Sequence, residues 1–88
     1  MKVGFEESFA KDLRALRDAR LLLRVRRLIE AVESTTAASA IPQLKKLSGR
    51  SGFYRVRIGH YRVGLIIEGN TVTFVRVLHR KKIYRYFP

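Results

Sequence analysis

The chain has 88 residues and a mass of 10.2 kDa, which is enough for one domain of two thin layers around a single core. There is no Cys, which excludes a disulfide-stapled mini-protein and a thiolate zinc site; two His and few carboxylates leave little for any other metal cage, and no apolar run approaches the ~20 residues of a membrane span. The charge is the anomaly: 19 Lys and Arg against 7 Asp and Glu give +12, an excess that needs a polyanionic partner or repels itself.

Lys2–Phe5 is short and has the size of an edge strand. From Glu6 the period changes. Phe9, Leu13 and Leu16 recur at helical spacing, with Lys11, Asp12, Arg14 and Arg17 on the other side. Glu6 and Glu7 sit where a helix N-terminus favours acids, and the helix should end near Asp18. A second stripe follows: Leu21, Leu22, Val25, Leu28, Ile29 and Val32, with Arg20, Arg24, Arg27 and Glu30 elsewhere. Two amphipathic helices joined so tightly predict an antiparallel helical hairpin. Ser34–Ala40 reads as a loop or a fraying helix end, and Pro42 blocks a helix from running on. Ile41 and Leu44 are placed to tuck under the core, and Ser48–Gly52 is turn-like.

Then the period becomes two. Phe53–Ile58, Tyr61–Ile67 and Thr71–Leu78 are rich in Val, Ile, Tyr, Phe and Thr, with turns at Gly59-His60 and Gly69-Asn70. They predict a three-stranded antiparallel meander whose Tyr61, Val63, Leu65 and Ile67 face the helices. The fold class is therefore α+β: an N-terminal helical hairpin packed on a small, mainly antiparallel sheet, one domain over residues 1–88. The tail, His79–Pro88, is basic and aromatic and forms either a short helix or a last extended segment.

The bases are unevenly placed. Residues 1–50 carry eleven bases and six acids, whereas residues 51–88 carry eight bases and a single acid, Glu68. A two-residue turn at Gly59-His60 sets Arg57 opposite Arg62 and Arg55 opposite Gly64, on the face away from the helices. Like charges directly across a ladder are destabilising, which points to an anionic ligand. Gly64 leaves room there for a backbone or a phosphate. The third strand has two options. A two-residue turn at Gly69-Asn70 puts Val75 and Val77 on the face of Arg62; a bulge or longer turn puts Arg76 and Arg80 there. Beyond it, Tyr84 stands among Arg80, Lys81, Lys82 and Arg85, either to stack on a base or to anchor the tail. Tyr86 and Phe87 read as anchors.

In this order of elements, the motifs Tyr54–Arg57, Gly59–Arg62 and His79–Tyr84 resemble those of the RelE/ParE superfamily of bacterial toxins, over essentially the whole chain. The resemblance implies the toxin of a type II toxin–antitoxin pair. In the RelE-like branch it implies a ribosome-dependent, metal-independent endoribonuclease. Such a toxin enters the ribosomal A site and cuts mRNA by attack of a ribose 2′-OH on its own phosphate. The branch's strand bases fall on Arg55 and Arg57, its transition-state arginine on Arg62, its C-terminal arginine on Arg80 and its stacking tyrosine on Tyr84. Arg76, Lys81, Lys82 and Arg85 are further RNA-binding candidates. One departure concerns the proton: the branch has lysines where Arg55 and Arg57 stand, and a guanidinium with a pKa above ~12 is a poor general base. His79 is the best substitute and His60 a weaker one. Lys81 and Lys82 stand where related sequences carry an acid. The implied partners are a cognate RelB-like antitoxin with an acidic, amphipathic segment that folds on binding, forming a hetero-oligomer, and the 70S ribosome with its mRNA. No cofactor and no membrane are expected, and the location is cytoplasmic. A ParE-like gyrase inhibitor and a non-catalytic RNA- or protein-binding domain remain the alternatives.

Overall fold

Asp18 starts the longer of the two main helices. Its carboxylate accepts from the N–H groups of Arg20 (3.0 Å) and Leu21 (3.2 Å), which have no carbonyl partner within the helix. That helix, α2, spans Ala19–Ser34 and buries Leu21, Val25, Leu28 and Val32; Leu22 and Ile29 lie half-buried at its margin. The computed structural model covers residues 1–88. Ahead of α2 come strand β1, Lys2–Phe5, and helix α1, Glu7–Ala15. Helix α1 stops short of Asp18 because Leu16 and Asp18 are both extended. Its buried residues are Phe9 and Asp12, so Asp12 lies on the packed side rather than outward with Lys11.

After α2, a 3-10 turn at Ala38–Ala40 leads to strand β2, Leu44–Lys46. Three residues are too few to show a period of two, and the sequence reading has no strand there. The meander follows as predicted: β3 (Phe53–Ile58), β4 (Tyr61–Glu68) and β5 (Thr71–His79), then the short helix α3 (Ile83–Tyr86). The sheet order is β1-β5-β4-β3-β2, antiparallel except for the parallel β1–β5 pair.

Register decides which side chains share a face. Gly59, at φ +58°, makes the tight turn that sets Ile58 opposite Tyr61, Arg57 opposite Arg62 and Arg55 opposite Gly64. The third strand combines both of the options left open by its sequence. Glu68 pairs with Thr71 across a two-residue turn, and a bulge then shifts the ladder, so that Leu65 pairs with Phe74 but Gly64 with Arg76. The bulge at Val75 moves Arg76 to the face of Arg55, Gly64 and Arg62 and keeps Phe74 and Val77 in the core. A cluster of 13 buried side chains, among them Phe9, Val25, Val32, Ile41, Val63, Leu65 and Phe74, fills the space between the helices and the opposite face of the sheet. Ile83 and Phe87 are also buried, but outside that cluster.

Candidate functional site

The arginine face of the sheet is laid out in rows by the ladder: Arg57–Arg62–Leu78, then Arg55–Gly64–Arg76, then Phe53–Ile66–Thr73. In the first row, Arg62 donates to the carbonyl oxygens of Gly59 (3.0 Å) and Tyr61 (2.9 Å), which folds its guanidinium back onto the turn. Arg80 reaches the same turn through its backbone N–H, which donates to the His60 carbonyl at 2.8 Å, and its side chain is exposed. Arg57 donates to Gln43 Oε1 (3.0 Å), and Arg55 to the Gln43 carbonyl (3.3 Å). Gln43, with φ +62°, is the only residue other than glycine in the left-handed region. It holds two of the candidate arginines, and nothing in the sequence marks it for that task. Arg57 also borders a cleft of about 440 Å³ together with Arg24 and Arg27 of α2, over Leu28, Val56 and Ile58.

None of Arg55, Arg57, Arg62 or Arg80 has a carboxylate partner; the two ion pairs of the molecule are Arg26–Glu30 and Arg76–Asp12. Guanidinium groups bonded only to neutral carbonyl oxygens can exchange those partners for phosphate oxygens, and charge-assisted bonds to phosphate are the stronger ones.

Arg76 is different, and its expected role in holding RNA is not supported by its surroundings. Its Nε and one terminal nitrogen donate to Asp12 at 2.8 and 2.9 Å, and Asp12 also accepts from the Val77 N–H at 3.0 Å. The hydrogen bonds it donates to Asp12 hold the Arg76 guanidinium above its ordinary pKa, against the opposing effect of burial. The same guanidinium lies 5.2 Å from the centre of the Tyr86 ring. Asp12 takes two of its five N–H donors and balances its charge, so it attracts a phosphate less than the arginines without a carboxylate partner. Asp12 is the residue that sequence reasoning missed. The available signal was an acid three residues after Phe9 and four before Leu16, hence on the apolar face of α1.

His79 does not join the arginines. It pairs with Tyr61, so the two rings share the helix-side face and meet edge-on at 5.4 Å. His60 lies alongside at 6.2 Å. The Nδ1 atom of His79 accepts the N–H of Lys81 at 3.2 Å, which puts the proton of the neutral ring on Nε2. As a proton acceptor for the arginine face, His79 has the wrong face and an occupied nitrogen. Its pKa is lowered from the ordinary 6.5, first by burial and then by the charges of Lys81, His60, Arg80 and Lys82. The unfolded chain therefore takes up this proton first, so the contribution of His79 to stability is complete above pH 6.5 and declines as pH falls below it. An NMR titration should place His79 below 6.5; a midpoint at or above that value would contradict the arrangement.

The tail forms the remaining wall. Lys81 and Lys82 lie exposed in the turn after β5, and Tyr84, Arg85 and Tyr86 are exposed on α3. Tyr84 is 57% exposed and free to stack, whereas Phe87 is 2% exposed and is an anchor. Tyr86, read as a core anchor, is 54% exposed and is held instead by Arg76. Gly64 offers no space to a phosphate, because the Phe87 ring fills the position a side chain would take there.

Comparison with known proteins gives a consistent picture. A family model described as "ParE toxin of type II toxin-antitoxin system, parDE" matches residues 3–84. Toxin RelE3 of Methanocaldococcus jannaschii is 39% identical over 89 residues, covering all of both chains. A chain of the RelB-RelE antitoxin-toxin complex from Methanococcus jannaschii superposes with a TM-score of 0.83 at 36% identity, covering 97% of this chain and 99% of that one. The isolated E. coli RelE toxin shares the fold, with a TM-score of 0.66 at 20% identity over 89% of this chain and 82% of that one.

Proposed function

The chain belongs to the RelE/ParE superfamily and is a RelE-like toxin of a type II toxin–antitoxin pair, and from that premise we propose that it is a ribosome-dependent endoribonuclease that cuts mRNA in the A site without a metal ion. The observation that carries this reading is the row Arg57–Arg62, two like charges directly opposed with no carboxylate between them, with Arg80 after β5 tied by its backbone N–H to the turn that joins their strands. The ladder bears that repulsion in the free protein and loses it when a phosphate lies across the row.

In the proposed reaction the ribose 2′-oxygen bonds to the phosphorus of its own 3′-phosphate while the bond from phosphorus to the 5′-oxygen breaks. The products are a 2′,3′-cyclic phosphate and a 5′-hydroxyl. Arg62 and Arg80 donate to the pentacoordinate phosphorane, whose added charge is where fixed guanidinium donors have the most effect. Arg55 and Arg57 hold the strand by its phosphates, and Tyr84 stacks on a base to bring the 2′-oxygen in line. Lys81, Lys82 and Arg85 extend the basic border for RNA. With His79 on the other face, the 2′-OH proton passes to solvent or to the ribosome-bound RNA, and the 5′-oxygen takes one from solvent. Catalysis then rests on orientation and charge.

The same basic face suits a cognate antitoxin. The structures of RelB-RelE complexes are of relatives; for this chain we propose an acidic, amphipathic segment that folds over the arginines and withholds them from RNA. The ribosomal target places the toxin in the cytoplasm.

One observation favours a second reading. No histidine or carboxylate is bonded to Arg57 or Arg62, and the matched family model is that of ParE, which suits a gyrase inhibitor with no chemistry of its own. Cleavage mapping decides between them. Purified protein is added to ribosomes stalled on a defined mRNA, and separately to the naked mRNA, with Arg80→Ala as control. The expected result is a cut in the A-site codon, seen only with ribosomes and lost in the variant. No cut on either substrate by folded protein would transfer the reading to gyrase, where accumulation of cleaved, gyrase-bound DNA is the assay.

A further inference from the structure

The tail after β5 turns back over the arginine face and is fastened there. Helix α3 has four residues, Ile83–Tyr86, too few to hold a conformation in isolation. Ile83 at one end is fully buried, and Phe87 at the other is 2% exposed, with its N–H donating to the Ile83 carbonyl at 2.8 Å. The two side chains project from one side of a single turn, and Tyr84 and Arg85 between them are exposed.

The seat for Phe87 is specific. Gly64 lies mid-strand in the row Arg55–Gly64–Arg76, and an ideal Cβ on it would fall 2.7 Å from Phe87 Cγ and Cδ2 and 2.9 Å from Cε2. Only glycine accepts the ring that close. Phe53, in the next row, packs 5.5 Å from the Phe87 ring centre to centre. Arg76, held by Asp12, lies over the Tyr86 ring. The tail is thus pinned to the middle of the arginine face, and the Arg57–Arg62 row is left beside it.

We propose that Phe87, seated in the Gly64 notch, is a positioning residue that fixes Tyr84 relative to Arg62 for RNA cleavage. This rests on the ribonuclease reading above. Stacking on a base is most effective from a ring already held in place, because the ordering of the tail then precedes binding.

The test compares Phe87→Ala, Phe87→Leu and Gly64→Ala with the wild type by two readouts. The first is independent of activity: NMR contacts between the Phe53 ring protons and the side chain at position 87, together with amide exchange over residues 83–87. The second is A-site cleavage, resolved into kcat and KM for the programmed ribosome. Phe87→Ala and Gly64→Ala should free the tail, leave the helix-side core folded, and lower kcat by at least about tenfold with KM within about twofold. Phe87→Leu, which refills the notch, should restore most of kcat. A freed tail with unchanged kcat would overturn the proposal, as would a rise in kcat on release, which would make Phe87 a plug. A wild type that docks its tail but cuts no mRNA would instead sink the ribonuclease reading, and the positioning role with it.

Discussion

Arg62→Ala should lower A-site cleavage by about 10²–10³-fold without destabilising the protein. The loss of activity is that of one preorganised donor to a transition-state oxyanion, about 2.7–4 kcal/mol. The unchanged stability has its own cause. Arg62 is bonded only to the carbonyls of Gly59 and Tyr61 and stands directly across the ladder from Arg57. Removing it relieves a like-charge pair, so unfolding free energy should stay within about 0.5 kcal/mol of wild type or rise slightly. Denaturant unfolding beside single-turnover cleavage on stalled ribosomes measures both. A variant that is folded and still cuts at the wild-type rate would remove Arg62 from the reaction. One that is destabilised by several kcal/mol would show that Arg62 is structural. The opposed directions, function lost and stability kept, are what distinguish a binding arginine from a structural one.

Asp12→Ala should do the reverse. Asp12 is 8% exposed and accepts from two nitrogens of Arg76 and from the Val77 N–H, just past the bulge at Val75. Its removal leaves a partly buried guanidinium and a strand N–H without partners, at a cost of about 3 kcal/mol. For a domain of this size that lowers Tm by about 12–24 °C. Asp12→Asn, which can keep an acceptor for Val77 N–H, should cost less. The double variant Asp12→Ala with Arg76→Leu should recover part of the loss, because the orphaned charge is gone. A Tm within a few degrees of wild type for Asp12→Ala would mean that the pair is not a significant clamp on the edge of β5. The two experiments together test whether the arginines of this face divide by partner: those bonded to carbonyl oxygens are expected to serve the proposed cleavage, and the one bonded to a carboxylate the fold.

The legibility of these groups in the sequence follows the range of the interaction. Helix α2 was readable because its stripe, Leu21, Val25, Leu28 and Val32, repeats within one element and its cap, Asp18, is adjacent. The hairpin of β3 and β4 was readable because a tight Gly59-His60 turn fixes the register of everything that follows, Arg57 against Arg62 included. Strand β2 was not, because three residues carry no period and its pairing with Tyr54–Val56 is what makes it a strand.

Composition, spacing and the turn chemistry thus determined the α+β class, the helical hairpin, the meander, the family resemblance and the basic face on which Arg55, Arg57 and Arg62 stand. The tertiary structure alone decided which of the basic and aromatic groups are available. A bulge inside β5 moved Arg76 to that face, yet Asp12, 64 residues away in sequence, claimed its guanidinium. The pairing of His79 with Tyr61 took the expected proton acceptor to the other side. The missing Cβ of Gly64, which left room for a phosphate in the sequence, received Phe87 from the end of the chain. Each of these outcomes depends on a partner distant in sequence. Local propensity fixes where an element lies and which way its side chains alternate; only packing fixes which of them meet, because a bulge, a buried charge and a glycine notch act through groups that no local period connects.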